Sequence, residues 1–179
     1  MGRGEEAGMT GLEALLKTLG EAGVQFVVIG GVAMYAHGST RLTRDLDICY
    51  ERSPANLERL ARALSEYHPR LRGVSDSVAF CLDGRALSRG MNFTLSTDLG
   101  DIDLIGEVPG LGQHPQVEHW ATTVEVEGTL CRVLSLRGLI QSKRASGRPR
   151  DLEALRELEA LADLEQGSGD AESGTYGEE

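Results

Sequence analysis

The chain of 179 residues carries 18 Lys and Arg against 28 Asp and Glu, a formal net charge of -10. With 40% hydrophobic and 26% charged residues it has the material for a core, and at 4% aromatic that core must be mostly aliphatic. The length fits one domain, and the negative charge excludes a generic basic nucleic-acid coat, because phosphate is repelled wherever cations are not clustered.

The acid is concentrated at the end. Residues Glu165–Glu179 hold five acidic side chains and no Lys or Arg, which leaves -5 for the rest. Rich in Gly, Ser and Glu and without apolar periodicity, this tail reads as disordered. Residues 1–9 read as a flexible N-terminus and 10–164 as the single folded domain. Cys49, Cys81 and Cys131 show no Cys-x-x-Cys spacing, and two of the three lie in apolar runs. That points to free thiols in a reducing cytoplasm. No run approaches the ~20 apolar residues of a membrane helix, and no secretory signal opens the chain, so the expected location is cytoplasmic and away from membranes.

In chain order, Thr10 with Glu13 forms a capping-box signature ahead of the stripe Leu12, Leu15, Leu16 and Leu19, which predicts a helix over about 11–21. The β-branched run Gln25–Ile29 ends at Gly30-Gly31 and predicts a buried strand, with a short helix over 32–38. Arg44–Tyr50 alternates, with Asp45, Asp47 and Cys49 on one face and Leu46, Ile48 and Tyr50 on the other. Ser53-Pro54 opens a helix to about Tyr67. Residues 68–89 are the least readable; Val78–Leu82 is a candidate strand, with Asp83-Gly84 as its hairpin turn. Strands follow over 92–96 and 101–105, then a Gly/Pro loop over 107–116, then strands over 122–126 and 129–134 joined at Glu127-Gly128. Ser135 caps a helix to about Ser146, and a last helix spans 151–164. The sum is an α+β fold, one mixed sheet flanked by helices.

The stretch Ile29–Ile48 carries the strongest chemistry. A strand delivers the chain to Gly30-Gly31, where backbone N–H groups at a helix start can approach a phosphate. On the next strand Asp45 and Asp47 share a face about 6–7 Å apart, a spacing at which two hard oxygen ligands can share a Mg²⁺. Asp-x-Asp alone means little: chance supplies about half a pair in a chain with ten aspartates. The glycine pair ahead of it is the restrictive part.

Ile29-Gly30-Gly31, followed after 13 residues by Asp45-Leu46-Asp47, resembles the motif of the DNA polymerase β-like nucleotidyltransferase superfamily. The wording Gly-Gly-x-Ala, His-Gly and Arg-x-Thr-x-Asp-x-Asp resembles its small stand-alone prokaryotic branch, which includes the nucleotidyltransferases of toxin–antitoxin and abortive-infection systems. The resemblance implies a nucleotidyltransferase fold and a third carboxylate on a later strand. Gly100–Ile105 supplies Asp101 and Asp103 on one face; the family pattern selects Asp103, with Asp101 at the strand entrance as the alternative that period 2 leaves open. Val133–Leu155 is similar to the family's C-terminal stretch, with a Lys on one helix and an Arg-Pro-(Lys/Arg)-Asp turn opening the next. Five cations fall within Arg137–Arg150, a place for phosphates to bind.

By resemblance, Asp45, Asp47 and Asp103 hold two Mg²⁺ ions, and Asp103 also activates the acceptor as a base. Gly30, Gly31, Lys143 and Arg148 then hold the phosphates of an NTP such as ATP. Arg41 is placed to touch a phosphate and Thr43 to brace the turn. The implied reaction moves a nucleoside monophosphate from an NTP to a hydroxyl on tRNA, a protein or a small molecule, releasing pyrophosphate, in a toxin-type enzyme with an antitoxin partner. The alternatives are a nucleotidyltransferase-fold protein that only binds, and an Asp-x-Asp glycosyltransferase. The absence of a Rossmann-length βαβ unit disfavours the last. His37, His68, His114 and His119 lack zinc spacing, and no Gly-x-Ser-x-Gly elbow exists.

Overall fold

In the computed structural model, which describes residues 3–75 and 79–172, the leucine stripe of the first helix does what its spacing predicts: Leu15, Leu16 and Leu19 are buried. This helix, α1 (Arg3–Glu21), begins well before the predicted cap. Thr10 therefore lies inside it and not at its start; Glu5, Glu6 and Ala7 ahead of it are themselves good helix formers. Then come β1 (Phe26–Ile29), α2 (Gly30–Ala36) and β2 (Asp45–Tyr50), each where the sequence predicts it. Helix α3 (Pro54–Ser65) starts with Pro in its first turn, and the Ser53 side chain accepts from the Asn56 N–H.

The weakly patterned segment holds a two-residue strand, β3 (Arg70–Leu71), and a short helix, α4 (Gly84–Arg89). The expected strand before Asp83 is absent over residues 79–82, and Val78 lies outside the described residues. Asp83 is not a hairpin residue: its side chain accepts from the Ala86 N–H and caps α4, the other common use of an Asp-Gly pair.

Strands β4 (Asn92–Thr97) and β5 (Gly100–Ile105) form the expected hairpin. The predicted Gly/Pro loop contains a two-residue hairpin, β6 (Glu107–Val108) with β7 (Gly112–Gln113), and the start of α5 (His114–Glu118). Strands β8 (Ala121–Val126) and β9 (Thr129–Leu134) pair through the Glu127-Gly128 turn. Ser135 caps α6 (Leu136–Ser146), which ends on Gly147 at φ 63°, the left-handed conformation that glycine adopts at least cost. Helix α7 (Pro149–Glu172) continues past the predicted end at Leu164, through the first eight residues of the stretch read as disordered. Residues 173–179 lie outside the described ones.

Seven strands form one mixed sheet in the order β3-β4-β5-β2-β1-β9-β8. Strand β2 runs antiparallel to β1 and parallel to β5, and β1 runs parallel to β9. Its central strands carry the core: Val27, Val28, Leu46, Ile48, Ile102, Leu104 and Val133 are all essentially inaccessible. Period-2 alternation then sends Asp45, Asp47, Asp101 and Asp103 to the opposite face. Among the described residues, no helix is long and apolar enough to cross a membrane.

Candidate active site

The site begins with strand register. Parallel pairing of β2 with β5 sets Asp45 beside Asp101 and Asp47 beside Asp103, so four carboxylates form two adjacent rows on one face. On the other side of β2, Asp47 is opposite Ile29, the last residue of β1. The chain then turns into α2 at Gly30, whose φ is 63°. A Cβ on Gly30 would collide with the Asp47 carboxylate, and one on Gly31 would stand 2.7 Å from Thr43 Oγ1. Both glycines are thus required by protein groups packed against them. The Gly31 N–H, expected to approach a phosphate, donates to the Asp47 carboxylate. Ile29 offers α2 no side-chain cap, so Asp47 partners the helix start from the neighbouring strand.

Above this row opens a cavity of about 490 Å³, lined by Gly30, Gly31, Arg41, Asp45, Asp47, Asp103, Lys143 and Arg148 among others. Of the sequence-predicted site residues, only Thr43 stands behind it, donating to the Asp45 carbonyl at 3.2 Å and bracing the turn. The far wall is the α6–α7 hairpin. Lys143 Nζ donates to Asp151 at 2.7 Å and Ser146 to the same carboxylate at 2.6 Å, with Arg148 at 3.8 Å. Burial alone would raise the Asp151 pKa, but Lys143, Ser146 and Arg148 together hold it below the usual range. Arg41 donates to Glu157 of α7 at 2.7 Å, so it is tied to a carboxylate in this structure. Arg150 also lines the cavity, whereas Arg137 is exposed and does not, and Arg144 pairs with Glu159.

One site residue carries no mark in the sequence. Arg72, just past β3, donates through Nη1 to Asp45 at 3.0 Å and Asp101 at 2.9 Å, and through Nη2 to Asp103 at 2.5 Å. It lies in the least readable segment, with no motif around it, and only the β3–β4 pairing brings it to the acids.

The electrostatics differ along the cluster. Asp47 is pushed up to about 6, first by burial and then by the charges of Asp103 and Asp45, against the Gly31 hydrogen bond and Lys143. Asp103 is also raised, chiefly by burial, with Arg72 opposing. Asp101 goes the other way: burial would raise it, but hydrogen bonds from Ser96 and Arg72 hold it low. Opposed shifts within one carboxylate cluster are a pattern common at functional sites. Asp45, Asp47 and Asp103 offer the hard oxygen donors that suit a divalent cation of the Mg²⁺ type. Among the described residues no three acidic, His or Cys side chains are arranged as a metal cage; in this cluster the Arg72 guanidinium stands among the carboxylates.

Residues 8–64, which include Gly30, Gly31, Asp45 and Asp47, match the family model described as nucleotidyl transferase of unknown function (DUF2204). The chain is similar in fold to TM1012 of Thermotoga maritima, a protein assigned to the nucleotidyltransferases. The two share 21% identity at a TM-score of 0.54, over 82% of this chain and 88% of that one. It is also similar to the antibiotic-resistance factor ANT(2'')-Ia, at 15% identity and a TM-score of 0.53, over 92% of this chain and 94% of that one. No curated protein matches the chain in sequence. At these identities the structural likeness establishes the fold, which is the nucleotidyltransferase fold that the motif implies.

Proposed function

We propose that this chain, whose residues 8–64 match a nucleotidyl transferase family model and whose fold is that of nucleotidyltransferases, moves a nucleoside monophosphate from an NTP to a hydroxyl acceptor and releases pyrophosphate. The observation that carries the reading is the register of β2 with β5, which sets Asp47 beside Asp103 and Asp45 one pleat along, under a cavity whose far wall bears Lys143, Arg148 and Arg150. Acids on one side and cations on the other suit a substrate with a metal-bound inner phosphate and anionic outer phosphates.

Asp45, Asp47 and Asp103 would hold the Mg²⁺ ions. When bound, the pair would neutralise charge developing on the α-phosphate and on the leaving pyrophosphate, and would align the attacking and leaving oxygens. The protein's own groups contribute position. The Gly31 N–H fixes the Asp47 carboxylate, and Gly30 leaves it room to stand against the turn. Lys143 and Arg148 exchange Asp151 for the outer phosphates. Asp103, beside Asp47 and with its proton affinity raised by burial, accepts the proton of the attacking hydroxyl.

The acceptor is a hydroxyl of tRNA, of a protein or of a small molecule. ANT(2'')-Ia, an antibiotic-resistance factor of the same fold, favours the small-molecule arm; the motif wording favours a toxin-type enzyme held in check by an antitoxin protein. Incubation with each labelled NTP, Mg²⁺ and pooled RNA, protein and small-molecule acceptors tests the reading. Label should appear on one pool and disappear with Asp45→Asn or Asp103→Asn. NTP binding by calorimetry with no transfer to any pool would leave the binding-only alternative standing.

A further inference from the structure

We propose that Arg72 is a displaceable counter-cation built into the carboxylate cluster: it holds Asp45 and Asp103 in the metal-free protein, yields their oxygens when a divalent ion enters, and stays tethered to Asp101. The inference rests on the reading of Asp45, Asp47 and Asp103 as metal ligands.

The lateral geometry makes the contact specific. The Arg72 N–H donates to the Thr94 carbonyl at 2.9 Å, extending the β3–β4 ladder by one residue. Thr94 is opposite Asp103, and Asp103 is opposite Asp47. Arg72 thus heads a row that runs across the sheet into the cluster, and its side chain crosses β4 to reach acceptors on both β5 and β2. Two guanidinium nitrogens serve three carboxylates, a use of the planar fork that a lysine could not reproduce.

Asp101 explains how the arginine is kept. One of its oxygens accepts from Ser96 at 2.7 Å and the other from Arg72 at 2.9 Å. Both are engaged by groups anchored on the β3–β4 side, so in this inference Asp101 serves the arginine and Asp103 is the third ligand. A divalent ion bridging Asp45, Asp47 and Asp103 would stand next to the guanidinium, and like charges at that range repel strongly in a partly buried site. Arginine and ion therefore exclude each other at Asp45 and Asp103. Little of the fold holds the arginine in place: β3 is a two-residue edge strand paired with β4, with Arg70 exposed and Leu71 only partly buried against the core.

The test is Mn²⁺ titration of the full chain by calorimetry, with thermal melting in EDTA and in Mn²⁺. Arg72→Gln should bind Mn²⁺ about tenfold more tightly than wild type, since it removes a competing charge. Asp101→Asn, which leaves the three ligands intact but removes the displaced arginine's partner and one nearby negative charge, should weaken binding about threefold. Arg72→Gln should also melt lower than wild type in EDTA and gain more from Mn²⁺. Wild-type or weaker affinity in Arg72→Gln, with binding that Asp45→Asn abolishes, overturns the inference alone. A wild-type protein that binds no Mn²⁺ at these aspartates overturns the ligand reading and the inference with it.

Discussion

Replacing Asp47 by Asn should stabilise the metal-free protein while removing its activity. Asp47 is held up at about 6 against an ordinary 3.8, first by burial and then by Asp103 and Asp45. At ~1.4 kcal/mol per decade of proton affinity, keeping it ionised in the fold costs about 3 kcal/mol. The sign follows from the raised value. Below pH 3.8 the folded and unfolded chains both carry the proton and the variant gains nothing from this source. As pH rises, the unfolded chain ionises first, so wild type loses stability up to about pH 6 and remains lower above it. Asn keeps an acceptor for the Gly31 N–H, so the local structure has no reason to open. In EDTA at pH 8 the variant should melt about 6–12 °C above wild type, and the gap should close near pH 4. Excess Mg²⁺ should narrow it from the other side, by stabilising wild type alone. Thermal denaturation followed by circular dichroism across this pH range is sufficient, and a variant less stable than wild type in EDTA at pH 8 would refute the argument.

Asp103→Asn should lower label transfer by about 10²–10³-fold or more with an unchanged far-UV spectrum. Lys143→Ala should raise the KM for NTP about tenfold and, by leaving the buried Asp151 with weaker partners, cost about 1–3 kcal/mol in a denaturant titration. Gly30→Ala, strained at φ 63° and thrust against Asp47, should lose about 1–3 kcal/mol and most of its activity, where Ala at exposed Gly128, with open space around it, should retain activity. Burial pushes the Cys49 thiol to about 12 and that of Cys131 to about 11, whereas Cys81 is exposed. Ellman's reagent should therefore modify one of the three thiols in the native protein quickly, and all three only on unfolding.

The elements that were legible in advance are those whose information is local. The leucine spacing of α1, the alternation of Asp45–Tyr50 and the Ser-Pro and Ser caps of α3 and α6 each state a period or a terminus within a few residues. Elements β3, β6 and β7 were not legible, because two-residue strands carry no period and exist only through their partners, and α4, at six residues, is too short to show a helical stripe. The same division runs through the site. Gly30, Gly31, Asp45 and Asp47 lie in one short stretch whose spacing marks them as a unit.

What the linear chain determined by itself was the chemistry on offer: two carboxylates on one strand face, a glycine corner before them, a second acidic pair on a later strand and a cationic hairpin. Its net charge of -10 also excluded a generic basic nucleic-acid coat. Only the tertiary structure decided which of these groups meet. Register between β2 and β5 is a matter of which hydrophobic rows bury together, and a shift of one residue would have turned Asp101 and Asp103 away from Asp45 and Asp47. The role of the glycines changed as well, from open space for a ligand to room for Asp47 and Thr43. Arg72 could be found in no other way, since a charge 27 residues from Asp45 along the chain becomes its neighbour only when the edge of the sheet folds beside it.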